Sequence, residues 1–122
     1  MKQTYQTGLA GELTAEEYLC SKLGMTCIEK RFRAKCGEID LIMLAQNTVV
    51  FVEVKTRKTG TPGAGLAAVD IRKQQRIARA AMCFLMNRNM LGHPVRFDVI
   101  EICSGTVIHI ADAFQPGAMF YR

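Results

Sequence analysis

Gly37-Glu38-Ile39-Asp40-Leu41-Ile42-Met43-Leu44 and, after four intervening residues, Val49-Val50-Phe51-Val52-Glu53-Val54-Lys55 decide how this chain folds. Both runs are rich in aliphatic and β-branched side chains and read as strands. Asp40, Glu53 and Lys55 nevertheless sit inside them. Charges in such places are costly unless they are paired or bind a metal. If the turn between the runs is Gln46-Asn47, alternation sets Asp40 opposite Glu53 and Glu38 opposite Lys55. One face then carries Glu38, Asp40, Ile42 and Leu44 beside Val49, Phe51, Glu53 and Lys55. The other carries Ile39, Leu41 and Met43 beside Val50, Val52 and Val54.

Opposed Cβ atoms lie about 5 Å apart, so Asp40 and Glu53 repel unless a cation bridges them. Two carboxylates are hard oxygen ligands for Mg²⁺ or Mn²⁺, and Mg²⁺ usually keeps several waters. Such a metal lowers the pKa of a bound water and stabilises charge on an attacked phosphate. Lys55, beside Glu53, would orient that water or hold a phosphate oxygen. Spacing alone leaves a second reading open: an ion-pair network such as Glu38–Lys55 at a sheet end, with no metal.

Around this pair the chain reads as αβββαββ. A first helix is expected from about Thr7 to Leu23, stopped by Gly24. Strands follow near Thr26 to Arg33, Glu38 to Leu44 and Thr48 to Thr56. A second helix spans about Asp70 to Asn89, and strands near Arg96 to Cys103 and Thr106 to Ala111 close the chain. The expected architecture is a single α/β domain over residues 1–122, a mixed sheet flanked by helices. Its strand–helix–strand step is a right-handed parallel crossover. Lys58 to Gly65 is the one loose stretch, a loop inside the domain.

At 100° per residue, Leu9, Leu13, Leu19, Cys20 and Leu23 share an arc of the first helix with Glu12 and Glu16. A carboxylate on a core-facing stripe needs a partner, which brings Glu12 forward as a third carboxylate at the Asp40–Glu53 pair. Glu16 reads equally well as the partner of a surface cation. On the second helix Ile77, Ala80, Ala81 and Phe84 join Val69 on a core arc. Arg72, Arg76 and Arg79 form a stripe beside it, with Lys73 at the boundary. His93 before Pro94, and His109 between Ile108 and Ile110, have no nearby acid or cysteine in sequence and read as structural.

Composition bounds the rest. The chain has 122 residues, 49% hydrophobic and 22% charged, with a net charge of +5. No apolar run approaches the ~18 residues of a membrane span, and the N-terminus has no signal-peptide core. Five cysteines without a C-x-x-C pair argue for reduced thiols in a cytoplasmic protein, packed as small buried apolar groups. Nine basic residues and one acid lie between Val54 and Phe97. Lys30, Arg31, Arg33 and Lys35 surround Phe32. Such clusters suggest a polyanion. With five or six phosphate contacts, log K would fall with log salt at a slope of about −5.

In order and spacing these residues resemble the bacterial YraN family, grouped with the restriction-endonuclease-like PD-(D/E)XK superfamily and similar to archaeal Holliday-junction resolvases. The resemblance rests on Gly11-Glu12, Ala15, Tyr18-Leu19, Gly37 to Ile42, Val50 to Arg57, Ala68-Val69, Lys73, Arg76 and Arg96 to Val99. It spans about residues 8 to 102. The family ordinarily has an asparagine where this chain has Arg31, a position placed outside the expected site. The resemblance implies a restriction-endonuclease-like core, metal ligation by Asp40 and Glu53, a catalytic Lys55 and an accessory catalytic role for Glu12.

The resulting expectation is a Mg²⁺- or Mn²⁺-dependent endonuclease hydrolysing phosphodiester bonds in DNA, with branched or structured DNA among its candidate substrates. Arg57, Lys73 and Arg76 would bind the nucleic acid. The alternative is a catalytically silent module that binds nucleic acid or protein and keeps the fold. A homodimer through a strand edge or Ala118-Met119-Phe120-Tyr121 suits either, and neither involves a membrane.

Overall fold

Thr48–Arg57 (β3) is the middle strand of a five-stranded sheet in which strand order follows the chain. The computed structural model describes residues 2–58 and 60–115. Helix α1 (Lys2–Leu23) precedes a meander of β1 (Thr26–Ala34), β2 (Gly37–Ala45) and β3. Helix α2 (Ile71–Asn87) then crosses to β4 (Val95–Cys103), and β5 (Thr106–Ile110) closes the sheet. β4 runs parallel to β3, and the other neighbouring pairs are antiparallel. This is the expected αβββαββ mixed sheet, and it matches a restriction-endonuclease-like core. Strands β1 and β5 form the sheet's edges. The proposed dimer segment Ala118 to Tyr121 lies outside the described residues.

The helix ends follow the local chemistry. Gly24 at φ 69° donates its N–H to the Cys20 carbonyl, the αL stop that a side chain would oppose. Asp70 caps α2 by accepting the Lys73 N–H at 2.9 Å. Helix α1 begins several residues before the expected Thr7, and a 3₁₀ turn, Ala64–Ala68, occupies the end of the expected loop.

The two helices cover opposite faces. Helix α1 packs Ala15 and Leu19 on Leu41, Met43, Val50, Val52, Ile100 and Ile102. Helix α2 packs Ile77, Ala81 and Phe84 on Ile42, Val49, Phe51, Phe97 and Val99. Glu53, Lys55 and Arg57 therefore lie on the α2 face by alternation along β3.

Two expectations fail here. The buried line of α1 is Gly11, Ala15 and Leu19, while Leu13 and Leu23 are 59% and 47% exposed. Gly11 explains this, since a Cβ on it would collide with the Thr56 side chain of β3. At Gly11 the helix sits too close to β3 for a side chain, while further along it Ala15 and then Leu19 fill a widening gap. Alternation along β2 is also reset. Ile39 packs with the α2-side cluster beside Ile42, although Leu41 faces α1. The neighbouring strand is reset at the same place, where Arg31 takes a left-handed φ of 52°. Lys30 pairs with Leu41 and reaches Glu16 on α1, whereas Phe32 pairs with Ile39 and packs toward α2.

Candidate active site

Main-chain pairing between β2 and β3 ends at Leu41 and Val52. The turn at Gln46-Asn47 and the register up to that point are those read from the sequence. Beyond it β2 stays on β1 as far as Gly37, and β3 stays on β4 as far as Arg57. The sheet forks, and Asp40 and Glu53 stand at the fork. Asp40 Oδ2 accepts the Val54 N–H at 2.8 Å, engaging a main-chain donor beyond the end of the ladder.

Glu53 is 5% exposed, and its Oε2 lies 3.3 Å from Lys55 Nζ and 3.4 Å from Lys73 Nζ. Alternation accounts for the first ion pair. The second needs the fold, since Lys73 descends from the first turn of α2. Burial, and then the charge of Glu53, push the Asp40 carboxyl up to about 7. Glu12 adds to that rise, while the Val54 hydrogen bond and Lys73 oppose it. Asp40 thus feels an acid on each helix-covered face of the sheet.

Glu12 is not simply a third member of this pair. Arg31 donates to both of its oxygens, Nε to Oε1 at 2.8 Å and Nη2 to Oε2 at 3.3 Å. Arg31 therefore belongs to the site's surroundings, contrary to its expected place outside. An asparagine, which the YraN resemblance implies here, tolerates the left-handed backbone better than arginine. In this chain the longer side chain reaches α1 instead.

The profile of an uncharacterised protein family, UPF0102, matches residues 11–102. A UPF0102 protein of Saccharophagus degradans is 43% identical over 115 residues, covering 93% of this chain and 97% of the relative. One from Caldanaerobacter subterraneus is 46% identical over 95 residues, covering 78% and 77%. Another, from Persephonella marina, is 36% identical over 108 residues, covering 88% and 92%. The chain belongs to the UPF0102 family. YraN and UPF0102 are one family, so the resemblance is shown at that level.

The remaining expected site residues of this UPF0102 chain separate. Arg57 pairs with Glu101 at 3.4 Å and so already has a counter-charge. Arg76 is exposed and lines a cleft next to Lys73. Glu38 pairs with Arg33 at 3.3 Å, not with Lys55. Glu101 was missed. It is fully buried on β4, in register with Lys55, and accepts the Gly63 N–H. The parallel crossover was expected but its register was not, and it is the pairing of Glu53 with Val99 that turns Glu101 to the face of Lys55.

His109 has an acid partner, which its sequence neighbours did not suggest. Its Nε2 lies 2.7 Å from Asp98 Oδ2, and Arg96 grips both Asp98 oxygens at 2.8 Å. Burial raises the Asp98 pKa, but these bonds and the Asp112 N–H outweigh it and hold the carboxyl below its ordinary value. His93 Nδ1 lies 2.9 Å from the Asn47 carbonyl. Of the cysteines only Cys103 is buried, and the other four are half-buried.

Among the described residues no three His, Cys, Asp or Glu side chains converge as a metal-binding group. The pair itself still fits a hard divalent cation. Two carboxylates face one fork, and burial first, then the charge of Glu53, raises the Asp40 carboxyl to about 7. A cation there would relieve their repulsion, and Mg²⁺ completes its shell with water.

Proposed function

We propose that the fork is the active site of a metal-dependent nuclease acting on phosphodiester bonds in DNA. The observation that carries this reading is the meeting of Asp40, Glu53 and Lys55 where β2 and β3 part, with Lys73 of α2 closing on the same carboxylate. Asp40 and Glu53 would hold Mg²⁺ or Mn²⁺. When bound, the ion supplies a lowered pKa for coordinated water and positive charge for the attacked phosphate. The Val54 N–H fixes Asp40 and keeps one of its oxygens oriented in the fork. Lys55, about a third exposed, is placed to hold a phosphate oxygen or orient the attacking water. Lys73 and Arg76 extend positive charge away from the fork toward solvent. Branched and flapped DNA are candidate substrates alongside linear duplex.

A second reading is favoured by one feature. Lys55 and Lys73 both neutralise Glu53, and Arg31 neutralises Glu12, without any metal. A silent binding module could keep the fold on that charge balance alone. Incubation with linear, nicked, flapped and four-way DNA in Mg²⁺ and in Mn²⁺ decides between them. The nuclease reading expects metal-dependent cutting that falls by at least ~100-fold in Lys55→Ala, the scale of losing one transition-state contact. Absence of cutting on every substrate, or an undiminished Lys55→Ala, would leave the binding module.

A further inference from the structure

The turn between β1 and β2 and the first three turns of α2 flank an open cleft of about 650 Å³. Arg33 and Lys35 line it from the turn, and Lys73, Arg76 and Arg79 from the helix. Its one acid is Glu38, already paired with Arg33 at 3.3 Å. Two basic clusters about forty residues apart in sequence thus become one concave surface. Gly37 makes this possible, since a Cβ there would lie 2.7 Å from the Arg76 carbonyl oxygen. Without a side chain at 37, the strand start lies directly against α2 and the cations face one another.

Five cations ring one opening; Arg33 and Lys73 each have a carboxylate partner, and Lys35, Arg76 and Arg79 leave an excess of positive charge that attracts a polyanion. Three of the five are guanidinium groups, the fork geometry that matches phosphate. The remaining lining is small or aliphatic, with no aromatic ring and no side-chain amide. It offers no aromatic platform for base stacking and no amide to read adenine, and leaves its guanidinium groups as the main contacts. Lys73 belongs both to this cleft and to the Glu53 cluster, so the cleft opens beside the fork.

We propose that the cleft seats the phosphodiester backbone of a nucleic-acid strand and grips it without regard to base sequence. That the strand leads on into the fork rests on the nuclease reading; the grip itself does not. Binding in EDTA therefore tests it apart from cutting. Anisotropy of labelled duplex and single-stranded DNA, followed from 50 to 200 mM salt, gives the affinity and its salt slope. Lys35→Glu and Arg79→Glu change exposed side chains in the cleft. Lys22→Glu makes the same charge change at the exposed far end of α1.

Each cleft variant is expected to weaken binding by about fivefold or more and to make the slope shallower by about 0.9 for duplex or 0.7 for single strands. Lys22→Glu should stay within about twofold of the parent, and unrelated sequences should bind alike. Cleft variants that behave like Lys22→Glu would overturn the proposal, as would a preference above tenfold for one sequence. A parent that never binds DNA, as expected if the cleft takes an acidic protein instead, would also overturn it. Binding through the cleft without cutting would remove the nuclease reading and leave this one standing.

Discussion

Asp40 is the residue at which the charge problem of the fork is concentrated. Its ordinary value of 3.8 rises to about 7 in the folded chain, first through burial and then through Glu53. Folded protein therefore binds a proton there that the unfolded chain has released. Stability from this group is greatest below about pH 4 and declines as pH rises toward 7. Each pKa unit is worth about 1.4 kcal/mol, and relaxation and competing ionisations reduce the total. Asp40→Asn, which keeps an acceptor for the Val54 N–H, is expected to be more stable than the parent by on the order of 2 kcal/mol at pH 8 without divalent ions. The gain should shrink as pH falls below 7 and approach zero only at about pH 3.5, where the unfolded chain is protonated as well. Urea unfolding at the two pH values checks this. A variant no more stable than the parent at pH 8 would mean that Asp40 bears no such cost.

At the scale of elements, Gly11 sets how close α1 comes to the sheet, and so where Glu12 stands. A Cβ at Gly11 collides with Thr56 Oγ1, while the Thr56 Cβ would be 3.4 Å away, an ordinary contact. Helix propensity alone favours alanine over glycine by about 1 kcal/mol. Gly11→Ala is nonetheless expected to lose roughly 1–2 kcal/mol through overpacking. Thr56→Ala added to it should recover most of that loss. A double-mutant cycle by thermal or urea unfolding measures the coupling, and simple additivity would show that the clash is not what places the helix. The same contact explains what the sequence left hidden. Element order, the Gln46-Asn47 turn and the register to Leu41 and Val52 were legible because long apolar strands and turn residues repeat at fixed periods. The core line of α1 was not, because Gly11 and Ala15 carry little hydrophobic signal beside the conspicuous but exposed Leu13 and Leu23. Nor could alternation foresee Ile39 on the α2 side, where both β2 and its neighbour, at the left-handed Arg31, depart from strict alternation. Asp40, Glu53 and Lys55 stood out as charges within apolar runs. Lys73's approach to Glu53 and Arg31's hold on Glu12 are tertiary facts that no local pattern encodes.

Across the whole molecule, charge is separated: acids gather where the sheet forks, and cations line the cleft beside it. The fork lies between two well-packed faces, so the repulsion at its acids falls on the stability of the entire fold. A divalent ion bound at Asp40 and Glu53 would exchange that repulsion for attraction. It would stabilise folded chains alone, because the unfolded chain does not hold the two carboxylates together. For an ion at about 100 times its dissociation constant the gain is about 2.7 kcal/mol. In a domain of this length that raises the melting temperature by roughly 10 °C. Thermal unfolding at pH 7.5 should therefore shift upward with Mn²⁺ or Mg²⁺ in the parent chain. The shift should persist in Lys35→Glu, which leaves the fork intact. It should vanish in Asp40→Asn and Glu53→Gln, even though the first of these begins from a more stable metal-free state. Equal shifts in all four proteins would place any bound ion elsewhere. No shift in the parent would leave the lysines as the only counter-charges that the fork uses.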